Sequence, residues 1–305
     1  MRAVVTGGAG FIGSHVVDAL LARGDEVLVL DDLSNGKREN VADGARLEVV
    51  DIREPLDFEG AEVCFHLAAQ VDVRVAVERP EHDAQVNVLG TVTVLEAARA
   101  HGTQVVFAST GGAIYGECDG PAAEDAPRRP LSQYGVSKLA GEEYLAAYNR
   151  LYGTNHVSLR FANVYGPRQD PRGEAGVVSI FLGRLAAGEP PRIFGDGSQT
   201  RDYVYVGDVV EATLRATEQA GGVFNVGTGR ETSVVELYDV CRRVSGAELE
   251  PEFAEARLGE LARSVLDPAR AGSELGFHAE VSLEDGLART WDSIQREGEE
   301  RAGAK

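Results

Sequence analysis

The chain begins with a run of glycines between two apolar segments, and this run restricts the possible folds more than any other feature. Ala3-Val4-Val5-Thr6 predicts a buried strand that leads into the turn Gly7-Gly8-Ala9-Gly10-Phe11-Ile12-Gly13. Apolar residues then recur at helical spacing up to Gly24, and a second apolar run ends at Asp31. The segment therefore predicts a β-α-β unit with parallel strands and a right-handed connection.

The glycines of this turn predict a dinucleotide-binding site. Gly7 allows a tight turn after the strand, Gly10 lets a pyrophosphate approach the N-terminus of the helix, and Gly13 allows helix and strand to pack closely. Asp31 lies at the end of the second strand, where its carboxylate can accept hydrogen bonds from the adenosine ribose. Because a 2′-phosphate would meet this negative charge, the sequence favours NAD over NADP.

Composition narrows the class of protein and of partner. The 305 residues allow two domains, and contents of 43% hydrophobic and 26% charged residues are typical of a globular protein. No apolar run could span a membrane and the N-terminus enters a strand at once, so we expect a cytoplasmic protein without a membrane partner. Cys64, Cys118 and Cys241 lie far apart and away from histidine clusters, which argues against disulfides and metal sites. The net charge of −19 argues against a nucleic-acid partner.

Later apolar segments predict the rest of an α/β fold. Strands are expected over 47–52, 63–70, 105–110 and 157–161, and helices over 81–101 and from 132 onward. The regular β/α alternation weakens near residue 167. We therefore expect an NAD-binding domain over 1–167, with part of 201–228 returning to it, and a smaller mixed α/β domain over 168–305 that binds substrate.

The residues expected around NAD lie mainly in the glycine turn and near the carboxyl ends of the strands, where open α/β sheets bind ligands. They are Gly7, Gly10, Phe11, Ile12, Gly13, Asp31, Asp32, Ser34, Asn35, Gly36, Lys37, Asp51, Ile52, Leu67, Ala68, Ala69, Gln70, Asn87, Tyr134, Lys138 and Phe161. The polar loop 33–37 could wrap the adenosine phosphate. His66, in an apolar strand, is interpreted as a core histidine.

Tyr134 and Lys138 are the candidate catalytic pair. Four residues apart, they lie on one face of the predicted helix. A free tyrosine is a poor base at neutral pH, but an adjacent ammonium and the positive charge of oxidised nicotinamide would stabilise its phenolate. Taken alone, the pair could be a surface tyrosine beside a solvated lysine. Together with the glycine turn and the hydroxyls of Ser109 and Thr110, it indicates a base suited to a sugar hydroxyl.

Five segments resemble one family, the extended short-chain dehydrogenases/reductases, and in particular its nucleotide-sugar-modifying branch. They are TGGAGFIGSH, STGGAIYG, YGVSK, LRFANVYGPR and RDYVYVGDVVEA, and the resemblance covers nearly the whole chain. It implies a Rossmann-type doubly wound parallel sheet that keeps NAD tightly bound. It also implies a smaller C-terminal domain that holds a UDP- or dTDP-sugar, and often a homodimer built through a four-helix bundle.

Within that branch the resemblance favours enzymes that epimerise UDP-hexoses at C4. Dehydratases carry an Asp-Glu pair where this chain has Gly111-Gly112, and glycine cannot transfer a proton. The implied cycle needs Tyr134 as the base, NAD and one hydroxyl. Many epimerases have a serine at the position of Gly111, so the hydroxyl role is expected to pass to Thr110, with Ser109 as the alternative.

The resemblance also implies a set of residues that hold the substrate. They are Thr110, Gly111, Gly112, Tyr134, Asn163, Val177, Arg201, Arg257, Glu260 and Ser264. In this set Asn163 binds a diphosphate oxygen, Arg201 and Arg257 bind phosphate, and Glu260 binds the nucleoside ribose. For either arginine alone, a surface ion pair remains the alternative. Ser264 is small where some epimerases carry a tyrosine, which predicts room for the N-acetyl group of UDP-GlcNAc or UDP-GalNAc.

Two other functions stay open at the level of sequence. A UDP-glucuronate 4-epimerase would use the same chemistry with a cation near the sugar C6, for which Arg172 and Arg184 are candidates. A non-catalytic NAD-binding sensor or scaffold would use the same fold. The intact pair Tyr134 and Lys138 argues against the sensor, because a binding module has no need of a tuned phenolate.

Overall fold

A seven-stranded parallel sheet forms the centre of the fold in a computed structural model that describes residues 1–171, 176–256 and 261–303. The strands are β1 (Arg2–Thr6), β2 (Glu26–Asp31), β3 (Arg46–Val49), β4 (Val63–His66), β5 (Gln104–Thr110), β6 (Val157–Phe161), β7 (Asn163–Tyr165), β8 (Arg192–Phe194), β9 (Thr200–Arg201), β10 (Tyr203–Tyr205), β11 (Gly222–Val226), β12 (Thr232–Ser233), β13 (Glu252–Ala254) and β14 (Arg263–Ser264). The central sheet has the order β11-β6-β5-β4-β1-β2-β3, with every neighbouring pair parallel. This order confirms the predicted Rossmann-type α/β fold.

Helices cover both faces of this sheet and continue into the C-terminal region. They are α1 (Phe11–Ala22), α2 (Val73–Glu78), α3 (Pro80–Ala84), α4 (Gly90–His101), α5 (Gly111–Ile114), α6 (Gln133–Tyr152), α7 (Val177–Ala186), α8 (Val206–Arg215), α9 (Val234–Ser245) and α10 (Leu283–Gly303). None of the helices in the described part of the chain has both the length and the apolar character needed to cross a bilayer.

The two faces of the central sheet pack into separate apolar clusters because successive strand residues point to opposite sides. Val5 packs with residues of α1 and α8 on one face. Val4 packs with Leu95 of α4 and Leu145 of α6 on the other face. Burial on both sides explains why the strands read as nearly continuous apolar runs.

The C-terminal region is held by a third apolar cluster and by three small sheets. Helices α7, α9 and α10 pack around Phe181, Leu237 and Leu287. The small sheets pair β7 with β10, β8 with β13, and β9 with both β12 and β14. Strand β11 leaves this region and joins the central sheet beside β6, where Val226 pairs with Phe161.

Three predicted elements differ in their bounds from the structure. The strand expected over 63–70 ends at His66, and the strand expected over 47–52 ends at Val49. Each ends where its partner ends, since His66 pairs with Thr6 and Val49 pairs with Asp31. The helix expected over 81–101 is instead α3, a π-helical segment Gln85–Leu89 and α4. Such π segments often occur at functional sites.

Candidate active site

The glycine turn presents an open helix N-terminus at the carboxyl edge of the sheet. Gly10 is the N-cap of α1 and no side chain caps that end. The amides of the first turn have no acceptor within the helix, so they can bind an anion. Gly7 has a φ of +72°, and a Cβ at this residue would lie 2.6 Å from the amide nitrogen of Ala68. Only glycine therefore lets the turn approach the loop after β4, and the turn fits a pyrophosphate.

Asp31 connects this turn to the loop expected around the adenosine. Its two carboxylate oxygens accept hydrogen bonds from the amides of Ala9 and Leu33, each at 2.9 Å. Burial raises the pKa of Asp31, and only 6% of the residue is exposed. The Lys37 amide donates to the Ala9 carbonyl at 2.9 Å, which folds loop 33–37 against the turn. Each Asp31 oxygen retains a second acceptor position for a ribose hydroxyl.

Other predicted cofactor residues lie around this loop and after β3. The Asp32 carboxylate accepts from the Ser34 amide at 2.9 Å and from its hydroxyl at 2.6 Å. Arg53 donates to Asp51 and lowers the pKa of that carboxyl. Ile52 is buried in the apolar cluster that contains α4. The remaining members of the set lie at the surface or near it; they are Phe11, Ile12, Asn35 and Gly36.

The loop after β4 is held by two side chains. The Leu67 amide donates to the Thr6 carbonyl, and the Ala68 amide donates to the Thr6 hydroxyl. Asn87 accepts from the Gln70 amide at 2.8 Å and donates to the Gln70 carbonyl at 2.9 Å. Asn87 is 2% exposed, so its amide contacts the protein loop. Asn87 therefore fixes the backbone of Gln70 in the loop after β4.

His66 is a neutral core histidine, in agreement with the sequence interpretation. Its ring nitrogens hydrogen-bond the hydroxyls of Thr6 at 2.8 Å and Thr91 at 3.0 Å. Burial, with a smaller contribution from the charge of Lys138, lowers its pKa to about 3. A histidine with this pKa stays neutral near pH 7 and does not act as an acid–base group there.

Helix α6 places Tyr134 and Lys138 on one face beneath the end of β5. The Ser132 hydroxyl caps the helix by accepting from the Gly135 amide, so the first turn carries Tyr134. Lys138 is 3% exposed and donates from Nζ to the Ala108 carbonyl at 2.9 Å. Its ammonium also lies 4.8 Å from the centre of the Phe107 ring. The lysine is thus fixed between α6 and β5, whereas Tyr134 is half-buried.

The protein alone keeps Tyr134 protonated. Burial raises its pKa, and the charge of Asp83 adds to the rise. Burial lowers the pKa of Lys138 to about 8, against the opposing charges of Asp83 and Glu142. The lowered tyrosine pKa expected from sequence is therefore not a property of the chain by itself, and needs the further positive charge of a bound oxidised nicotinamide.

The two hydroxyls at the end of β5 differ in their surroundings. Ser109 is 4% exposed and donates its hydroxyl to the buried Glu142 carboxylate. Glu142 in turn binds Arg160 at 2.7 Å. Thr110 is half-buried at the end of the strand. The structure therefore gives Ser109 a structural partner and leaves Thr110 as the hydroxyl nearer the site.

Gly112 marks the point where three predicted substrate residues converge. A Cβ at this position would lie 3.6 Å from Asn163 Oδ1 and 3.9 Å from both Ser264 Oγ and Thr110 Oγ1. Gly111, by contrast, is buried and its Cα faces the side chain of Leu266. The space beside Gly112 is thus lined by hydroxyl and amide groups that can bind a sugar or phosphate.

Backbone pairing between short segments aligns three of the predicted substrate residues. Arg201 pairs with Ser264 between β9 and β14, and its guanidinium donates to the Thr200 carbonyl at 2.7 Å. The Asn163 amide donates to the Asp202 carbonyl at 2.8 Å. Asn163, Arg201 and Ser264 are therefore aligned by adjacent backbones although they are distant in sequence.

The remaining predicted site residues are not among those that converge on Gly112. Val177 is the first residue of α7, and Phe161 is 6% exposed in the core at the end of β6. Arg257 and Glu260 lie outside the described residues.

Several buried charged residues in the described part of the chain were absent from the sequence predictions, among them Glu142, Arg160 and Asp83. Glu142 continues the spacing of Tyr134 and Lys138 along α6, and Arg160 is a charge within the apolar strand β6. Both patterns could have indicated a buried pair. Asp83, on α3, had no such signal.

Known proteins resemble this chain in sequence and in structure. A model of the NAD dependent epimerase/dehydratase family matches residues 3–227. The UDP-glucose 4-epimerase of Mycolicibacterium smegmatis is 50% identical over 305 residues, covering 95% of this chain and 97% of that protein. The crystal structure of UDP-glucose 4-epimerase with UDP-glucose from Thermotoga maritima superposes with a TM-score of 0.93 at 44% identity, covering 97% of this chain and 99% of that chain. The Thermus thermophilus UDP-glucose 4-epimerase complex with NAD gives a TM-score of 0.90 at 46% identity, with the same coverage.

The family match and the structure concern the same part of the molecule. The matched residues run from β1 to the end of β11 and so include every strand of the central sheet. They also include the glycine turn, the end of β5 and the face of α6 that carries the tyrosine and the lysine. With well over half of its length matched, the chain belongs to the NAD dependent epimerase/dehydratase family.

Proposed function

We propose that this protein interconverts UDP-glucose and UDP-galactose by NAD-dependent epimerisation at C4. The observation that carries the proposal is that Thr110, Asn163 and Ser264 converge on the open side of Gly112, just after the strand whose Ala108 carbonyl fixes Lys138. Tyr134 lies one helical turn from Lys138 on the same face of α6. In this proposal residues 1–167 and β11 hold NAD, and residues 168–305 hold the UDP-sugar. The relatives at 44–50% identity are UDP-glucose 4-epimerases along nearly their whole length.

The catalytic work is divided among three side chains. NAD, when bound, supplies the chemistry that takes a hydride from C4 and returns it to the opposite face. Tyr134 takes the proton from the C4 hydroxyl and gives it back when the 4-keto sugar has turned over. Lys138, fixed by the Ala108 carbonyl, holds the positive charge that favours the Tyr134 phenolate. Thr110 donates its hydroxyl to the sugar oxygen, because Ser109 is engaged with Glu142.

Gly111 and Gly112 argue against a dehydratase. Neither can move a proton, so removal of water across C5 and C6 has no acid or base at this position. The lack of a side chain at Gly112 also leaves space for the sugar. Ser264 is small and lies beside the open side of Gly112. We therefore propose that the N-acetyl sugars UDP-GlcNAc and UDP-GalNAc are also accepted.

The uronate alternative gains less support from the described residues. Arg184 donates to the Pro190 carbonyl at 2.8 Å and lies 3.5 Å from Glu189, so it already has acceptors on its own side of α7. Arg172 lies outside the described residues. A UDP-hexose is thus the better-supported substrate.

The surface around α6 supports a homodimer. Val136, Tyr144, Leu151 and Tyr152 of α6 are each at least 42% exposed, and Leu89 beside α4 is 59% exposed. Two antiparallel helix pairs facing each other through such residues would form the four-helix bundle implied by the family resemblance. We also propose that the protein acts in the cytoplasm, where Cys64, Cys118 and Cys241, unpaired in the structure, would stay reduced.

The test combines cofactor release with substrate turnover. Purified protein should release NAD on denaturation and convert UDP-glucose to UDP-galactose without added reductant, followed by NMR of the sugar C4 proton. UDP-GlcNAc and UDP-glucuronate should be assayed in parallel. Tyr134→Phe should lower kcat by about a thousandfold, the range expected for a general base. A protein without NAD, or a Tyr134→Phe protein with normal turnover, would contradict the proposal.

A further inference from the structure

Asp83, on α3, is a buried carboxylate whose helix packs against α6, the helix that carries the proposed catalytic pair. It is 1% exposed. Its Oδ1 accepts from Gln70 Nε2 at 3.1 Å and from Asn87 Nδ2 at 3.0 Å. Both donors are neutral amides, and among the described residues no cation binds this carboxylate directly. A buried carboxylate ordinarily has a cationic partner, so this arrangement needs a reason.

The amides that hold Asp83 connect the cofactor loop to α6. Asn87 binds both the amide and the carbonyl of Gln70, in the loop after β4. The same Asn87 Nδ2 donates to the Ser137 hydroxyl at 3.2 Å, and Ser137 donates to the Tyr134 carbonyl at 3.0 Å. A single hydrogen-bonded network thus runs from Asp83 to the backbone of both the cofactor loop and the proposed base.

The charges around this network leave Asp83 as the one that is not neutralised by a direct partner. On α6, the Lys138 ammonium interacts electrostatically with Asp83, while the Glu142 carboxylate accepts three hydrogen bonds from Arg160. On β4, His66 is neutral. Among the other charged or titratable residues of α2, α3 and their caps, Asp72 and His82 are half-buried. The others are exposed to solvent; they are Arg74, Glu78, Arg79 and Glu81.

We propose that Asp83 is a positioning residue for epimerisation, which holds the Gln70 loop against α6 and whose charge sets the pH range in which Tyr134 and Lys138 act together. This inference rests on the proposed roles of those two residues. It assigns the buried charge a function that a neutral residue of the same shape could not fulfil.

The direction of the effect follows from the sign of the charge. A negative charge disfavours the Tyr134 phenolate and favours the Lys138 ammonium, so Asp83 raises the pKa of both groups. Activity needs the phenolate, which sets the acid limb of the pH profile, and the ammonium, which sets the alkaline limb. Removing the charge should therefore move both limbs toward lower pH.

The decisive variant is Asp83→Asn in the NAD-loaded holoenzyme, because asparagine has nearly the same shape and can still accept from Gln70. We expect both limbs of the kcat/KM profile to shift down by about one pH unit, the usual effect of one nearby charge. On the acid limb the rate rises up to about tenfold, and on the alkaline limb it falls up to about tenfold. Titration of the phenolate ultraviolet band, with Tyr134→Phe as the blank, should show the same shift.

Two controls separate charge from structure. Asp83→Glu keeps the charge and should keep both limbs in place. Glu81→Gln removes an exposed charge from the same helix and should also leave them in place. If Asp83→Asn does not accumulate as folded protein, Asp83→Ser removes the charge with a smaller side chain and tests the same shift.

The outcomes distinguish this inference from the proposed function. If Tyr134→Phe stays active, the proposed function fails. If Tyr134→Phe is inactive but the Asp83→Asn profile keeps both limbs and only loses height, Asp83 has a purely structural role and this inference alone is overturned.

Discussion

Two clusters of buried side chains interact electrostatically with Lys138, and the partners of their carboxylates differ. In the first, Glu142 accepts three hydrogen bonds from Arg160 and one from Ser109. In the second, Asp83 accepts from the amides of Gln70 and Asn87, and no cation binds it among the described residues. The first carboxylate therefore has a cationic partner and the second does not.

The Glu142 cluster also extends much further through the structure. Arg160 donates to the Tyr115 hydroxyl at 2.6 Å and to the Glu124 carbonyl at 2.9 Å. Tyr115 donates to Asn225 of β11 at 2.8 Å. The cluster therefore joins β5, β6, β11 and α6, and we interpret it as the structural anchor of the site. Burial alone therefore does not assign a role to a carboxylate, whereas its hydrogen-bond partners do.

The largest change in stability is expected when the Glu142 cluster loses Arg160. Arg160→Leu leaves Glu142 buried without its partner and should lower the free energy of unfolding by about 3–5 kcal/mol. The matched control Asp83→Asn should lose less than about 1 kcal/mol, because its hydrogen bonds can be kept. Urea titrations of both proteins test the contrast. Equal losses would show that the two clusters are equivalent, and Glu142→Gln/Arg160→Leu should recover part of the loss.

Removing the buried charge of Lys138 should have the opposite effect and increase the stability of the protein. Burial lowers the Lys138 pKa from 10.5 to about 8, so at neutral pH the folded protein carries a charge that the unfolded chain accommodates more easily. Lys138→Met should therefore be more stable at neutral pH by on the order of 2 kcal/mol, and inactive. The gap should narrow as pH rises from about 8 to 10.5, where the native lysine loses its proton. Urea titrations at neutral and alkaline pH measure it, and a less stable variant would show that the Ala108 bond outweighs burial.

The smallest change in stability is expected at the two hydroxyls that end β5, those of Ser109 and Thr110. Ser109→Ala should cost about 1–2 kcal/mol of stability, through the lost hydrogen bond to Glu142, and keep most of kcat. Thr110→Val should keep stability and lower kcat about a hundredfold. Steady-state kinetics and thermal unfolding of the two variants test this difference. The reverse pattern would identify Ser109 as the catalytic hydroxyl and would give the Glu142 cluster a role in catalysis.

Local patterns were sufficient for the parts of this protein that lie close together in sequence. The glycine turn, its strand and its helix form one β-α-β unit, so spacing predicted them. The four-residue spacing of Tyr134 and Lys138 placed both on one face of α6 for the same reason. The ends of β3 and β4 could not be predicted, because each depends on where a neighbouring strand stops.

Local sequence patterns predicted the parallel α/β fold, the dinucleotide turn and the tyrosine–lysine pair, since each follows from the period of a helix or strand. The three-dimensional packing was needed to show that Ser109 binds Glu142 and that Asp83 is buried against amide groups. It was also needed to show that Asn163, Arg201 and Ser264 lie on neighbouring backbone segments. These contacts join residues far apart in the chain. Hydrogen bonds and buried charges of this kind depend on which elements pack together, and no local pattern encodes that.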